Sequence, residues 1–344
     1  MSASGGSRAV LAALAANVGI AVIKFVAFGI TGATSLLAEA VHSLADSGNQ
    51  GLLLLGGKRS RRVATREHPF GFGRDRYVYG FLVALVLFTV GGLFALYEGI
   101  QKIRHPHQLD SALVAVGVLV LAIGLEAWSF RTAIGESRAL KGDAGWVEFI
   151  RRAKVPELPV VLLEDFAALI GLALALLGVG LSTLLDQPAW DGIGSVGIGL
   201  LLVSVAVVLI VETKSLLLGE SASPAAIARI EQALVGPGVD RVIHQRTMHL
   251  GPEEVLLAAK LAMSPDSSLA EVAAAIDAAE ARVRAVEPAT RVIYLEPDVD
   301  RAVAQPAQPA ESIDRAAAAQ PAGPADQAAA AEPAESVDRA ADAG

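Results

Sequence analysis

The chain carries six long apolar stretches, at residues 9–30, 34–57, 77–100, 111–135, 158–185 and 189–216. Each can cross a bilayer core, which takes roughly 20 predominantly apolar residues. A chain of 344 residues that is 53% hydrophobic and 19% charged, with mean hydropathy +0.50, is too apolar for an ordinary soluble domain. A soluble enzyme is excluded on that ground. A nucleic-acid binder is excluded by a formal net charge of −8 and by basic residues that sit beside apolar segments. With no cysteine, disulfides, thiolate metal sites and cysteine nucleophiles are also excluded, and the redox compartment stays open.

The first stretch is read as a retained helix rather than a signal peptide. Arg8 is the only basic residue before it, Asn17 and Lys24 interrupt it, and a second stretch follows almost at once. Orientation follows from the loops. Lys58, Arg59, Arg61, Arg62, Arg66, Arg74 and Arg76 follow the second stretch; Arg138, Lys141, Arg151, Arg152 and Lys154 follow the fourth. The loops after the first and fifth carry no Lys or Arg, and the loop after the third only Lys102 and Arg104. Positive charge stays inside, so both basic loops and both termini are expected in the cytoplasm. The basic loops set topology, and anionic headgroups are a further binding partner for them.

This divides the chain into a cytoplasmic N-terminus (1–8), a six-helix transmembrane domain (9–220), a small cytoplasmic α/β domain (221–299) and a tail (300–344). In the third part, Ala225–Val235 and Leu269–Val286 have helical spacing, and Arg241–His249, Val255–Met263 and Thr290–Leu295 read as strands. Gly236-Pro237-Gly238 and Gly251-Pro252 mark turns. The order αββαβ predicts helices on one face of a sheet. The tail is Ala, Pro, Gln, Asp and Glu, with PAESIDRA at 309–316 recurring as PAESVDRA at 333–340. It has almost no large apolar side chain to offset chain entropy and is expected to be disordered.

An ionisable side chain at bilayer depth costs about 2.5–3.5 kcal/mol on insertion scales and asks for a reason. The second stretch holds Glu39, His42 and Asp46. His42 and Asp46, four apart, share a helix face, and Glu39 lies on roughly the same side. Imidazole and carboxylate suit a divalent metal. The fifth stretch holds adjacent Glu164 and Asp165. Carboxylates on two spans repel unless they share a cation or bind protons. A hydrogen-bonded cluster without metal is the alternative. Lys24 is expected to snorkel or to pair with a carboxylate; Glu98, Glu126, Glu212 and Lys214 are expected near interfaces, and Asn17 in helix packing.

SLLAEAVHSLADSGNQ (35–50), HPFGFGRDRY (68–77) and ETKSLLLGESA (212–222) together resemble the cation diffusion facilitator family, zinc-transporter-type metal efflux proteins. The loop string looks most like the zinc transporter 9 type branch, and the resemblance runs from about residue 8 to 298. It implies a homodimeric exchanger of divalent metal for protons, with a ferredoxin-like C-terminal domain. It implies a transport site made of two x-x-x-Asp pairs on the second and fifth helices. The first pair maps onto His42 and Asp46. The second maps onto Val161 and Asp165, and valine cannot ligate. Glu164 is the nearest replacement, though about 100° away round an ideal helix; Glu39, water or a helix distortion are others. The ligand set then fits zinc first, with iron, cobalt and manganese also compatible. The family's loop histidine is replaced by Phe72, so His68 is expected to order the loop. Its C-terminal metal positions fall near Ile243, Lys260 and Tyr294, and His244 and His249 lie on opposite strand faces.

The expected function is divalent metal:proton antiport, exporting metal from the cytoplasm across a cell membrane by alternating access, with the metal as cargo and no prosthetic group. Ligands must lose protons to bind metal, so one site couples both ions. A non-transporting metal sensor or regulator is the alternative. An intramembrane metal hydrolase is disfavoured, because neither HExxH nor Gly-x-Ser-x-Gly is present.

Overall fold

The computed structural model describes residues 6–31, 34–105, 112–187 and 189–299. The first five residues and the tail expected at 300–344 lie outside the described residues. The membrane part contains α1 (Ser7–Thr31), α2 (Thr34–Arg59), α3 (Asp75–Val86), α4 (Phe94–Arg104), α5 (Ala112–Lys141), α6 (Trp146–Arg152), α7 (Glu157–Leu185) and α8 (Ala189–Leu218). A π-helical turn, Leu87–Leu93, joins α3 to α4, so these form one continuous rod. Among the described residues, five segments are long and apolar enough to cross a membrane: α1, the α3–α4 rod, α5, α7 and α8. The 26-residue α2 is as long but more polar, because Glu39, His42, Asp46, Asn49 and Gln50 interrupt it.

The helices pack as α1 on α2 and α5, α7 on α5 and α8, α2 on α3, and α4 on α8. The main core joins Val10 and Ala13 of α1, Leu53 of α2, Val83 and Ala84 of α3, Ala133 of α5, Leu158 and Val161 of α7 and Leu209 of α8. Large apolar side chains such as Val22, Val26, Leu121, Leu184, Leu200 and Val211 face outward, as a lipid-embedded bundle requires.

α4 and α8 approach closely through small residues, the packing mode that membrane helices favour. A Cβ on Gly99 would lie 2.7 Å from Val196 N, and one on Gly199 2.7 Å from Leu96 N and 3.0 Å from Gly92 O. Gly199→Ala should therefore overpack this seam and cost about 1–3 kcal/mol. The check is the apparent Tm of the purified protein in detergent; an unchanged Tm would mean that the helices separate without cost.

Two expectations about the membrane helices change. The fourth span was expected to end near 135, but α5 continues to Lys141, because Ala133 and Ser137 extend its buried stripe. α6, in the second basic loop, was not anticipated. Its seven residues are too few to show a period, and it is held by the buried Phe149 and an edge-on Trp146 ring at 6.4 Å.

The C-terminal part runs α9 (Pro224–Leu234), β1 (Arg241–Gly251), β2 (Glu254–Met263), α10 (Leu269–Val286) and β3 (Thr290–Val299), the expected order. Ser223 caps α9 ahead of Pro224, and Ser268 and Glu271 form a reciprocal capping box on α10. The sheet order is β1-β2-β3, with β1 and β2 antiparallel. The link from β2 to β3 runs through α10, the crossover that parallel neighbours need. Leu257, Ala259 and Leu261 alternate inward from β2 against Ile230 and Leu234 of α9 and Ala279 and Val283 of α10. β3 runs four residues beyond the expected Leu295. Lys260 of β2 holds Glu296 at 2.9 Å and Asp298 at 3.2 Å, and Pro297 is tolerated on an edge strand.

Candidate metal-transport site

The site forms where α2, α5 and α7 meet. Glu164 and Asp165, consecutive on α7, are 7% and 2% exposed. Each is held by a donor from a different neighbour. Gln50 Nε2 of α2 donates to Glu164 Oε2 at 3.0 Å, and Ser129 Oγ of α5 donates to Asp165 Oδ2 at 2.6 Å. Gln50 is itself oriented by α1, since Asn17 Nδ2 donates to Gln50 Oε1 at 3.3 Å. This buried relay turns the Gln50 amide so that its NH₂ faces the carboxylate.

Asp46 of α2 is half-buried and within electrostatic reach of Glu164. Glu126 of α5 lies within the same reach of Asp46 and Asp165. Of the five expected site residues, Glu164 and Asp165 are buried together on α7, and Asp46 of α2 lies within electrostatic reach of Glu164. Glu39 and His42 belong to α2, but their side chains lie outside the described residues. Among the described residues, no three His, Asp or Glu side chains converge closely enough to hold an ion. Carboxylates that face one another across a dry interface repel, and protons or a shared divalent cation remove the repulsion.

Residues 10–218 match the model of the cation efflux transmembrane domain. The chain belongs to the cation diffusion facilitator family. It is 33% identical to the mitochondrial proton-coupled zinc antiporter SLC30A9 of Mus musculus over 242 residues, 70% of this chain and 43% of that protein. It is 30% identical to metal tolerance protein C4 of Arabidopsis thaliana over 251 residues, 71% of this chain and 54% of that one. With the magnetosome protein MamB of Paramagnetospirillum magneticum it shares 24% over 289 residues, 82% of this chain and 90% of that one. The chain spans less than half the length of the zinc antiporters it matches. The similarity places this facilitator in the zinc transporter 9-like branch. The matched family model is a cation efflux domain and the mouse and human relatives are named zinc antiporters, which disposes of the hydrolase reading.

Several facilitator residues were misjudged from sequence. Glu126 was expected near an interface, but it sits midway along α5, 5% exposed, because that helix is longer than its apolar run. Lys24 was expected to snorkel or to pair with a carboxylate. It turns toward α2, donates to Ser43 Oγ at 3.2 Å and lies within reach of Glu126. Gln50 and Ser129 were missed. Gln50 had a signal, since it falls one turn after Asp46 on the same α2 face; Ser129 had none beyond its spacing of three from Glu126. Val161 is fully buried among apolar neighbours of the main core.

The HPFGFGR loop is ordered by its own contacts. His68 N donates to Thr65 Oγ1 at 3.1 Å, Gly71 N donates to His68 O at 3.0 Å, and the His68 ring lies 4.6 Å from Phe72. The Arg62 guanidinium lies over the Phe72 ring at 4.7 Å. Beyond it, Gly73 meets the β1–β2 hairpin so closely that a Cβ would lie 2.7 Å from Leu250 O.

His244 and His249 do not form a cluster. His244 is exposed opposite Lys260, whereas His249 is buried with Nδ1 at 3.2 Å from Gly251 O. Burial above all pushes the His249 imidazole below its usual value. The unfolded chain therefore takes up this proton first as pH falls below about 6.5, and folding stability is lost from there down to the lower folded-state value. His249→Asn should flatten the loss of stability between pH 7 and 5. Denaturant midpoints across that range test this, and equal slopes for both proteins would refute it.

Proposed function

We propose that this facilitator exchanges a divalent cation, zinc first, for protons by alternating access around α2 and α7. The reading rests chiefly on one observation: Glu164 and Asp165 are buried side by side on α7, each already held by a neutral donor from a neighbouring helix, with Asp46 of α2 within electrostatic reach of Glu164. A dry carboxylate group of this kind binds a divalent cation or protons, and one excludes the other. The same competition loads the metal on the less acidic side and releases it on the more acidic side. His42, Asp46, Glu164 and Asp165, with Glu39 in support, form the proposed ligand set. The name of the mouse relative, a proton-coupled zinc antiporter, points the same way.

The remaining architecture is proposed with it. α2 is the sixth span, made polar by the site it carries. Residues 9–220 form the transport domain, 221–299 a ferredoxin-like cytoplasmic domain that dimerises, and 300–344 a separate tail. Both termini face the cytoplasm of a cell membrane, because the basic loops hold that side. A non-transporting metal regulator is the second reading, favoured by one observation: Val161 is sealed in the core and leaves the α7 pair one ligand short.

The test is flux into proteoliposomes with an imposed pH gradient, offering zinc, iron, cobalt and manganese in turn. Gradient-driven flux of one metal is expected. Folded protein that binds a metal and moves none of the four would overturn antiport in favour of the regulator.

A further inference from the structure

Four acidic side chains of α2, α5 and α7 lie within electrostatic reach of one another in pairs, and three of them are engaged. Glu164 accepts from Gln50, Asp165 accepts from Ser129, and Asp46 has contacts of its own. Glu126 differs. It is 5% exposed, and no hydrogen bond or ion pair from a described residue reaches its carboxyl group. Lys24, whose charge acts on Glu126, donates its hydrogen bond to Ser43 Oγ.

Its direction follows from the helix. Ser129 lies three residues after Glu126, so the two share one face of α5, and Ser129 touches Asp165. Ala122, Glu126, Ser129 and Ala133 form the buried stripe that α5 turns to its neighbours. A buried carboxyl group without a donor is costly, and it is retained where something else completes it. On α7 the position one turn before Asp165 is Val161, which offers no ligand.

We propose that Glu126 is a ligand of the transported divalent cation, supplying from α5 the donor that Val161 withholds on α7. This rests on the transport-site reading above. The site then spans three helices, and the ligand set is richer in oxygen than a pair of His/Asp motifs would make it. Hard carboxylate donors suit manganese and iron(II) as well as zinc, so α5 contributes to metal choice.

The chain has no cysteine, which provides a direct probe. Glu126→Cys introduces a single thiol, and the full-length protein in detergent is titrated with cadmium. A thiolate-to-cadmium charge-transfer band in the ultraviolet, complete at one equivalent, is expected. The band should vanish when Asp165→Ala is added. Glu98→Cys, at a half-exposed position beside Lys102, should give no band at that stoichiometry. In parallel, Glu126→Gln should weaken cadmium binding by about 10–100-fold, at least the loss seen when an outer-shell partner of a metal is removed. If Asp165→Ala weakens binding while Glu126→Gln does not, and Glu126→Cys shows no band, Glu126 is not a ligand and the transport site stands. If binding is indifferent to Asp165→Ala, the transport site fails and the assignment of Glu126 fails with it. Should Glu126→Gln not fold, the thiol band alone decides.

Discussion

Asp165→Ala is expected to bring gradient-driven metal flux down to that of protein-free vesicles, a loss of at least about 100-fold, while the protein still inserts and folds. Losing an outer-shell partner costs about 10–100-fold in metal affinity or activity, and a ligand itself should cost more. Asp165 is the best-placed candidate, 2% exposed and held at 2.6 Å by Ser129. Alanine removes both the negative charge and the acceptor for Ser129. Ser129→Ala leaves the carboxylate in place and should lower flux by about tenfold only, because it frees the carboxylate to rotate. The two variants measured side by side separate ligand from positioning residue. Full flux in Asp165→Ala would remove Asp165 from the site.

Arg76→Met is expected to destabilise the protein by about 3–5 kcal/mol, the usual result of removing one partner of a buried ion pair. Arg76, at the start of α3, holds Glu157, at the start of α7, through Nε at 2.5 Å and Nη2 at 2.9 Å. Both side chains are largely buried, at 12% and 6% exposure. Methionine would leave the Glu157 carboxylate buried without its cation. Adding Glu157→Gln removes that charge and should recover most of the loss, since replacing both partners of a buried pair is often close to neutral. The apparent Tm of the four proteins in detergent, as a double-mutant cycle, measures this. A single variant as stable as the wild type would mean that water reaches Glu157.

The basic residues of the two long loops are therefore not all free surface charges. Arg76 pairs with Glu157, Arg151 with Glu212 at 3.9 Å, and Lys154 with Glu220. Lys154 also matters outside the bilayer. Burial pushes the Glu220 carboxyl up, but bonding from Lys154 and Ser215 outweighs it and leaves the group below its usual value. That contribution is present at neutral pH and is lost as pH falls through the folded-state value, the same direction as His249.

The helices were legible because a bilayer demands a contiguous apolar run, and such a run survives in one dimension. α1, α7 and α8 begin and end within two residues of the stretches read at 9–30, 158–185 and 189–216. α10 was read at its observed limits, Leu269–Val286, because its N-cap and its period agree. The turn residues and period-two alternation located β1 and β2 for the same reason. Asp46, Glu164 and Asp165 stood out because charge in an apolar run has few explanations.

What failed were quantities that depend on a neighbour. Hydropathy marks where the lipid-like composition of α5 ends, not where its helix ends, so Glu126 was placed at an interface that lies elsewhere. The angle between Glu164 and Asp165 on an ideal helix counted against Glu164. α2 and α5 meet α7 from different sides, and Gln50 reaches one carboxylate while Ser129 reaches the other. The primary structure of this chain settles which segments are apolar enough to enter a membrane and which side chains are out of place there, since both follow from the solvent each residue meets. Which of those side chains face one another, and which donors hold them, is decided only when helices far apart in sequence pack together. A hydrogen bond such as Gln50 to Glu164 spans 114 positions and leaves no trace in local spacing.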